Sequence, residues 1–274
     1  MNTSSAPSPS WLAVLDFEAT CEDRHLITHS DWRLDQQEII ELPVALISVE
    51  ERAVVHRFNQ LIRPTHQPIL TPFCTQLTSI EQYELNDQPT IVEAIETFET
   101  WLTELGITAE TALAVTCGDW DLESMWPRQA ALVPELKTPA LFKRWCNLKV
   151  IFKEATGYRK GVGMMGMLRQ LRLTHQGHHH RGEDDVTNLS AVVVSLLERG
   201  AQFRPTWGEP ERRREHKRLS RKLNQLNQQL KERRAALDNL PDHVAEEVAH
   251  HIHVQIDTIT AEQNRLEAYL RARH

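Results

Sequence analysis

Two short apolar runs, each ending abruptly in acidic residues, constrain the fold of this chain more than any other feature. The first run is WLAVLDFE at residues 11–18, and the second is ALAVTCGDWD at residues 112–121. Short apolar runs with polar boundaries are typical of buried strands, and an α/β sheet opens into a cleft at its strand ends. The sequence therefore predicts two buried strands that carry carboxylates to the edge of one sheet.

Further strands and helices alternate with these runs. Residues 39–49 and 54–62 predict two more strands of the sheet, and the prolines within residues 63–72 predict an irregular segment after them. Helix starts are predicted at Thr78 and Thr90, each of which has a Glu three residues later, the pattern of a capping box. Apolar residues at helical spacing predict helices over residues 91–105, 164–173 and 184–197. The alternation indicates an α/β fold.

The chain has three predicted parts. Residues 1–10 are rich in Ser and Pro and are expected to be disordered, and residues 11–205 form the α/β domain. Residues 206–274 form a helical hairpin, because leucines at a 4-3 spacing predict one helix up to Pro241 and a second helix after it. The basic start of this hairpin has three open interpretations: a guide for phosphate backbones, a solvated helix face, or a dimerisation element.

Charge and cysteine usage exclude several classes of protein. The formal net charge of −7 argues against a protein that coats nucleic acid, since such binding depends on Lys and Arg. A nuclease is not excluded, because bound cations cancel the charge of metal-binding carboxylates. No stretch approaches the ~20 apolar residues of a membrane span, the first ten residues have no signal-peptide pattern, and the four cysteines are isolated. We therefore expect a cytoplasmic protein without a membrane partner.

Asp16 and Glu18 are the first candidate metal ligands. Alternate residues of a strand point to the same side, so both carboxylates face one spot at the predicted strand end. Two carboxylates in a desolvated spot repel each other, and one would be protonated unless a cation is held there. Oxygen ligands favour Mg²⁺ or Mn²⁺, which keep coordination positions for water and phosphate.

Two further clusters are predicted to complete the site. The second strand end offers Asp119 and Asp121, between which spacing alone does not choose. The third cluster, HHHRGEDD at residues 178–185, places His180 five residues before Asp185. A histidine with an ordinary pKa near ~6.5 is suited to take a proton from water. Each cluster also has an ordinary explanation as a solvated loop, a soft-metal tract or a helix N-terminus, but their joint position at element ends favours one site.

The ordered set of motifs resembles the DEDDh-type 3′-to-5′ exonucleases of the ribonuclease-H-like superfamily. Within them, the chain is similar to the subfamily that trims the 3′ ends of histone messenger RNA, ribosomal RNA and small RNAs, with its bacterial relatives. The resemblance implies a mixed central sheet flanked by helices. It covers about residues 11 to 200 and is carried by DFEATC at 16–21, EIIELP at 38–43, FNQLIRP to FCTQLTSI at 58–80, CGDWDL at 117–122 and HHRGEDDVTNLS at 179–190.

This resemblance implies the catalytic residues. Asp16, Glu18, Asp121 and Asp185 match the four acidic residues of the family, and His180 matches the general base. The acids would hold two divalent cations, Mg²⁺ with Mn²⁺ as a substitute. The implied reaction is hydrolysis of phosphodiester bonds from the 3′ end of RNA, with release of nucleoside 5′-monophosphates. Single-stranded DNA is a second candidate substrate.

The resemblance also implies a pocket for the terminal nucleotide. Trp120 would stack on the terminal base, Ala19 and Thr20 would lie beside the terminal ribose, and Phe73 and Leu77 would wall the pocket. Two alternatives stay open: a DNA-directed exonuclease of the same fold, and a non-catalytic RNA-binding or scaffold protein that uses the hairpin. A homodimer through the hairpin is a further expectation.

Overall fold

The apolar runs form strands of one mixed sheet. In the computed structural model, which describes residues 8–23, 25–27, 31–158, 162–207, 210–240 and 246–272, six strands pair with one another. β1 is parallel to β5, which is parallel to β6, and β3 is antiparallel to its partners β1, β2 and β4. This arrangement confirms the predicted α/β fold. The strands are β1 Trp11–Leu15, β2 Glu18–Ala19, β3 Ile39–Ser48, β4 Ala53–Leu61, β5 Ala112–Thr116 and β6 Trp145–Asn147.

β1 and β2 lie end to end along one edge of β3. Leu15 pairs with Val44, and Glu18 pairs with Glu41, while β4 follows the opposite edge of β3. The chain leaves the ladder at residues 16–17, between the two strands. Asp16 therefore lies at a break between two strands, where its backbone is outside the paired ladder.

The described residues contain nine α-helices, of which α1 to α7 belong to the same unit as the sheet. Thr90 caps α3 with the capping box that its spacing to Glu93 predicts. Short helical turns at Leu34–Gln36, Trp120–Met125 and Ala140–Lys143 connect the larger elements. The helices are α1 Pro72–Thr78, α2 Gln82–Leu85, α3 Ile91–Glu104, α4 Trp126–Leu132, α5 Leu148–Thr156, α6 Met164–Leu171, α7 Gly182–Glu198, α8 Pro210–Asp238 and α9 Glu246–Ala272.

The predicted helix start at Thr78 is wrong, because Thr78 is the last residue of α1. Thr71 caps that helix with its side chain, and Pro72 occupies the first helical position, where its fixed φ is suitable and its missing N–H is not needed. The capping box of this region belongs to Glu81 and Glu84 at the start of α2. The proline that was expected to keep the segment irregular thus starts a helix.

Apolar side chains cover both faces of the sheet. On one face, α3 and the 126–142 segment contribute an aromatic cluster that includes Phe98, Trp126 and Phe142. On the other face, α5, α6 and α7 contribute a second core that includes Phe152 and Leu189. Since β1 and β5 are buried on both sides, their sequences are almost continuously apolar. The polar ends of these strands are therefore the part of the sheet that is available for chemistry.

The chain divides into two units, residues 1–208 and 209–274. In the first unit, Ser10 extends the sheet region, because its N–H donates to Thr111 and its carbonyl accepts from Val49. Ser10, the last residue of the stretch expected to be disordered, therefore has backbone hydrogen-bond partners. Residues 1–7 lie outside the described residues.

The second unit consists of α8 and α9. Leu226 and Leu230 are buried, and Lys222 Nζ lies 2.5 Å from Glu262 Oε1 on the other helix. The predicted stop at Pro241 lies outside the described residues, and α8 ends at Asp238. Among the helices in the described ranges, none has the length and apolarity that crossing a bilayer requires.

Candidate active site and metal centre

Three acidic side chains meet at the break between β1 and β2. Asp16, Glu18 and Asp185 each place one carboxylate oxygen within 4.8 Å of the other two. Asp16 and Glu18 come from the strand break, whereas Asp185 comes from the first turn of α7. The folded chain thus brings together three of the four acidic residues that the sequence motifs single out.

Asp121 lies directly behind this cluster. It is buried, and its Oδ1 accepts the backbone N–H of Phe17 at 2.9 Å, so it fills the gap in the sheet. Asp119 instead accepts hydrogen bonds from Trp145 Nε1 and Asn147 Nδ2, at 2.9 and 2.8 Å. Because Asp119 is committed to these structural contacts, Asp121 is the carboxylate of this strand end that belongs with the cluster.

Burial and mutual repulsion dominate the electrostatics of the four acids. Burial raises the pKa of Asp16 well above its ordinary range, and the charges of Asp121 and Asp185 raise it further. Burial and Asp16 raise the pKa of Glu18 to about 10, and burial raises that of Asp121 to about 6. A cluster that resists losing its protons lacks compensating positive charge. Its oxygen ligands and this deficit both fit hard divalent cations such as Mg²⁺ or Mn²⁺.

Glu41 supports the cluster from β3, although the sequence reasoning gave it no role. It is fully buried and accepts the backbone N–H groups of Gly182 and Glu183, at 2.9 and 3.3 Å. A Cβ on Gly182 would lie 2.8 Å from the ring of Pro43, so only glycine fits between α7 and β3. Glu41 therefore holds the helix N-terminus that carries Asp185. A charged residue inside the apolar run IIELP was the signal available in the sequence.

Two histidines lie beside Asp185. His179 Nδ1 is 3.0 and 3.1 Å from the two carboxylate oxygens of Asp185. The backbone N–H of His180 donates to Asp185 at 2.9 Å, and its ring stacks on that of His179 at 3.9 Å between centroids. The predicted base thus lies next to the cluster, but the ring in contact with Asp185 is that of His179. Burial and the neighbouring His179 lower the pKa of His180 below 6.5.

The five residues proposed to contact the terminal nucleotide surround the same strand break. Ala19 and Thr20 follow Glu18 and are buried, and the hydroxyl of Thr20 accepts the backbone N–H of Glu38 at 3.0 Å. Trp120 immediately precedes Asp121 and is 44% exposed. The other two residues lie one turn apart on α1, whose Cys74 thiol contacts the carbonyl of Ala19; they are the half-buried Phe73 and Leu77.

The raised pKa of Glu18 predicts how metal-free protein responds to pH. The folded-state pKa of about 10 exceeds the ordinary value of 4.5, so the folded state retains a proton that the unfolded state loses. Glu18 therefore lowers the free energy of unfolding progressively as pH rises above about 4.5. In EDTA, we expect Glu18→Gln to raise Tm by an increment that grows from pH 5 to pH 8. Thermal melts of both proteins measure this difference.

Two controls accompany these melts. Glu50→Gln, at an exposed turn, is expected to give no such increment at any pH. Saturating Mn²⁺ is expected to reduce or reverse the increment, because cations stabilise only a folded state that binds them. If the Tm of wild type in EDTA equals that of Glu18→Gln at every pH, the pKa of Glu18 is not raised in the folded state.

Comparisons with known proteins agree with this geometry. The family model described as Exonuclease matches residues 13–193. The ERI1 exoribonuclease 3 of Homo sapiens is 34% identical over 198 residues, which cover 72% of this chain and 56% of the relative. The 3′-5′ exoribonuclease 1 of Homo sapiens is 30% identical over 199 residues, which cover 71% and 54%. The chain thus spans about half the length of the curated relatives it matches.

Solved structures show the same likeness. The nuclease domain of 3′hExo, a DEDDh family member bound to rAMP, superposes with a TM-score of 0.66 at 26% identity, covering 73% of this chain and 98% of that chain. A 3′-exonuclease structure that concerns 3′-end specific recognition of a histone mRNA stem-loop gives a TM-score of 0.65 at 25% identity, covering 73% and 86%. Since the family model matches well over half of the residues, this chain belongs to the exonuclease family.

Proposed function

We propose that this protein is a metal-dependent 3′-to-5′ exoribonuclease. The observation that carries the proposal is the meeting of Asp16, Glu18 and Asp185 at one strand break, with Asp121 behind them and His180 beside them. Two of the relatives to which this chain is similar are named exoribonucleases. Release of nucleoside 5′-monophosphates from RNA 3′ ends is the corresponding reaction.

The four carboxylates would hold two cations between them. Asp16, Glu18 and Asp185 would hold the cation on the side of the attacking water, and Asp121 would support a second cation on the side of the departing 3′-oxygen. Two divalent ions so held would supply an activated water and stabilise the charge on the leaving oxygen. We propose Mg²⁺ as the natural ion with Mn²⁺ as a substitute, since both favour carboxylate and water ligands.

The remaining residues have roles in proton transfer and positioning. His180 would take the proton of the attacking water, for which its lowered pKa keeps it neutral at pH 7. His179 would keep Asp185 oriented through the contact between its ring and the carboxylate. The exposed ring of Trp120 would stack on the terminal base, a sequence-tolerant way to hold a single strand. Ala19, Thr20, Phe73 and Leu77 would form the rest of that pocket.

A cleavage time course tests the function. RNA with a 3′ overhang and matched single-stranded DNA, each labelled at the 5′ end, are incubated with Mg²⁺, Mn²⁺ or EDTA. We expect RNA to shorten stepwise from the 3′ end with either metal and to stay intact in EDTA. Faster shortening of DNA than of RNA would support the DNA-directed alternative. No shortening of either strand would refute the exonuclease proposal and favour the RNA-binding or scaffold alternative.

We further propose that α8 and α9 join two copies of the chain. Several apolar side chains of this unit are only half buried by the hairpin itself, and Val248 and Val254 are 46% and 49% exposed. A second hairpin would cover such a surface, as in helical bundles.

The cytoplasmic location expected from the sequence remains a proposal that rests on composition.

Deleting residues 209–274 tests the role of the hairpin. We expect the shortened protein to run as a monomer in size-exclusion chromatography with light scattering, where the full chain runs as a dimer. If the full chain is already a monomer and the deletion weakens RNA binding, the hairpin guides RNA instead. A deletion that changes neither property would leave only the solvated-face interpretation.

A further inference from the structure

One lysine lies against the acidic strand end without a role in the proposed mechanism. Lys149 occupies the first turn of α5, where its backbone N–H donates to the N-cap residue Asn147 at 3.0 Å. Its side chain extends over Gly118, because a Cβ on that glycine would lie 3.3 Å from Lys149 Nζ. Gly118 has a φ of 121°, a conformation that other residues rarely adopt. Backbone geometry and the absence of a side chain thus make room for the ammonium between β5 and Asp121.

The charge of Lys149 reaches the acidic cluster. It lowers the pKa values of Asp16 and Asp121, against the larger effect of burial. Within the described residues, the ammonium donates no hydrogen bond and lies within 4.0 Å of no carboxylate. The position is also unfavourable for the helix, since the N-terminus of a helix repels cations. Apart from offsetting part of the charge of Asp16 and Asp121, the ammonium of Lys149 has no hydrogen-bond or ion-pair partner among the described residues.

Other cations near the site differ from Lys149 because they have protein partners. Arg181 pairs with Glu84 at 3.0 Å and lies 4.0 Å from Glu41. Arg128 donates to Gln37. These two arginines tie elements of the fold together, whereas the ammonium of Lys149 stays available to a ligand.

We propose that Lys149 is a substrate-binding residue whose ammonium contacts a backbone phosphate of the RNA 3′ end, on the Asp121 side of the cluster. The inference rests on the proposed function, which places a polyanion across the carboxylates. The four acids repel phosphate, so a cation beside them offsets part of that repulsion. Lysine is suited to this contact, because its flexible stem carries a point charge that can contact a phosphate from many directions.

RNA binding by a cleavage-deficient protein tests the contact separately from catalysis. Fluorescence anisotropy measures the affinity of Asp16→Asn protein for a labelled single-stranded RNA over a series of salt concentrations in Mg²⁺. Adding Lys149→Gln is expected to weaken binding about tenfold at low salt, and to reduce the slope of log affinity against log salt by about 0.7, the value for one single-strand phosphate contact. Lys149→Arg is expected to retain most of the affinity and the slope.

Lys153 is the matched control, because it lies on the same helix, is exposed, and is one turn further from the strand end. Lys153→Gln should leave both affinity and slope unchanged. In active protein, Lys149→Gln is expected to lower kcat/KM by about tenfold.

Two results would overturn the inference. One is an unchanged affinity and salt slope in Lys149→Gln. The other is an unchanged slope with an altered Mn²⁺ concentration for half-maximal cleavage, which would mean that Lys149 acts on the carboxylates and not on RNA. Failure of the proposed function is a separate result, because it appears as a wild-type protein that cleaves no RNA, whatever the binding assay gives.

Discussion

Asp16→Asn protein is expected to cleave RNA at least about 10³-fold more slowly than wild type at saturating Mg²⁺. The carboxylate of Asp16 is central to the cluster, and its loss removes the charge that would hold cations at the reacting phosphate. Charge stabilisation of this kind is worth several kcal/mol, and each ~1.4 kcal/mol corresponds to a factor of ten in rate. Single-turnover cleavage of 5′-labelled RNA measures the loss.

The fold of this variant is expected to remain intact. Burial and neighbouring acids oppose ionisation of Asp16, so a neutral amide should raise Tm in EDTA. Glu183→Gln is the matched control, since Glu183 lies on the same first turn of α7 as Asp185 but is exposed and outside the cluster. It is expected to keep near wild-type activity. A fully active Asp16→Asn protein would rule out a metal site at the strand break.

His180→Ala is expected to lower the rate by about 10² to 10⁴-fold, the range typical of a lost general base. In wild type, the rate should rise with pH as His180 loses its proton. Because burial and His179 lower the pKa of His180, the rise should occur at a lower pH than for an ordinary histidine. Bound cations would repel the imidazolium and move the rise in the same direction. In His180→Ala, the rise should disappear, which a pH–rate profile between pH 5 and 8 measures.

The adjacent histidines provide the controls for this experiment. His178→Ala, at an exposed position of the same tract, is expected to behave as wild type. His179→Ala is expected to retain the pH-dependent rise, because the contact of His179 with Asp185 orients a ligand and does not remove a proton. If His179→Ala abolishes the rise and His180→Ala retains it, His179 is the base.

The acidic strand ends could be predicted from the sequence because two physical constraints coincide there. A buried strand must be apolar, so the change from LAVL to DFE marks the point where Asp16 and Glu18 leave the core. Likewise, Asp185 follows a histidine-rich loop and lies in the first turn of an amphipathic helix, and both features are local. The helix start at Thr78 was wrong for a local reason, since Thr71 and Pro72 provide a better cap seven residues earlier.

Contacts between residues far apart in the chain could not be predicted from the sequence pattern. Spacing did not separate Asp119 from Asp121, because the choice depends on the partners Trp145 and Asn147, which are distant along the chain. The support that Glu41 gives to α7 joins residues 141 positions apart. Lys149 offered only a weak sign, a cation in the first turn of a helix, whose meaning depends on Gly118 lying beneath it.

The anchoring of α7 by Glu41 has a consequence for the newly synthesised protein. Asp16, Glu18, Glu41 and Asp121 all precede the anchored helix, and Asp185 follows them near the end of the first unit. A ribosome-bound chain that ends before residue 182 has neither the last carboxylate nor the histidine-containing loop held in place. Domains generally fold as units once their sequence has emerged. The catalytic residues proposed above are therefore brought together only when the catalytic unit has been almost completely synthesised.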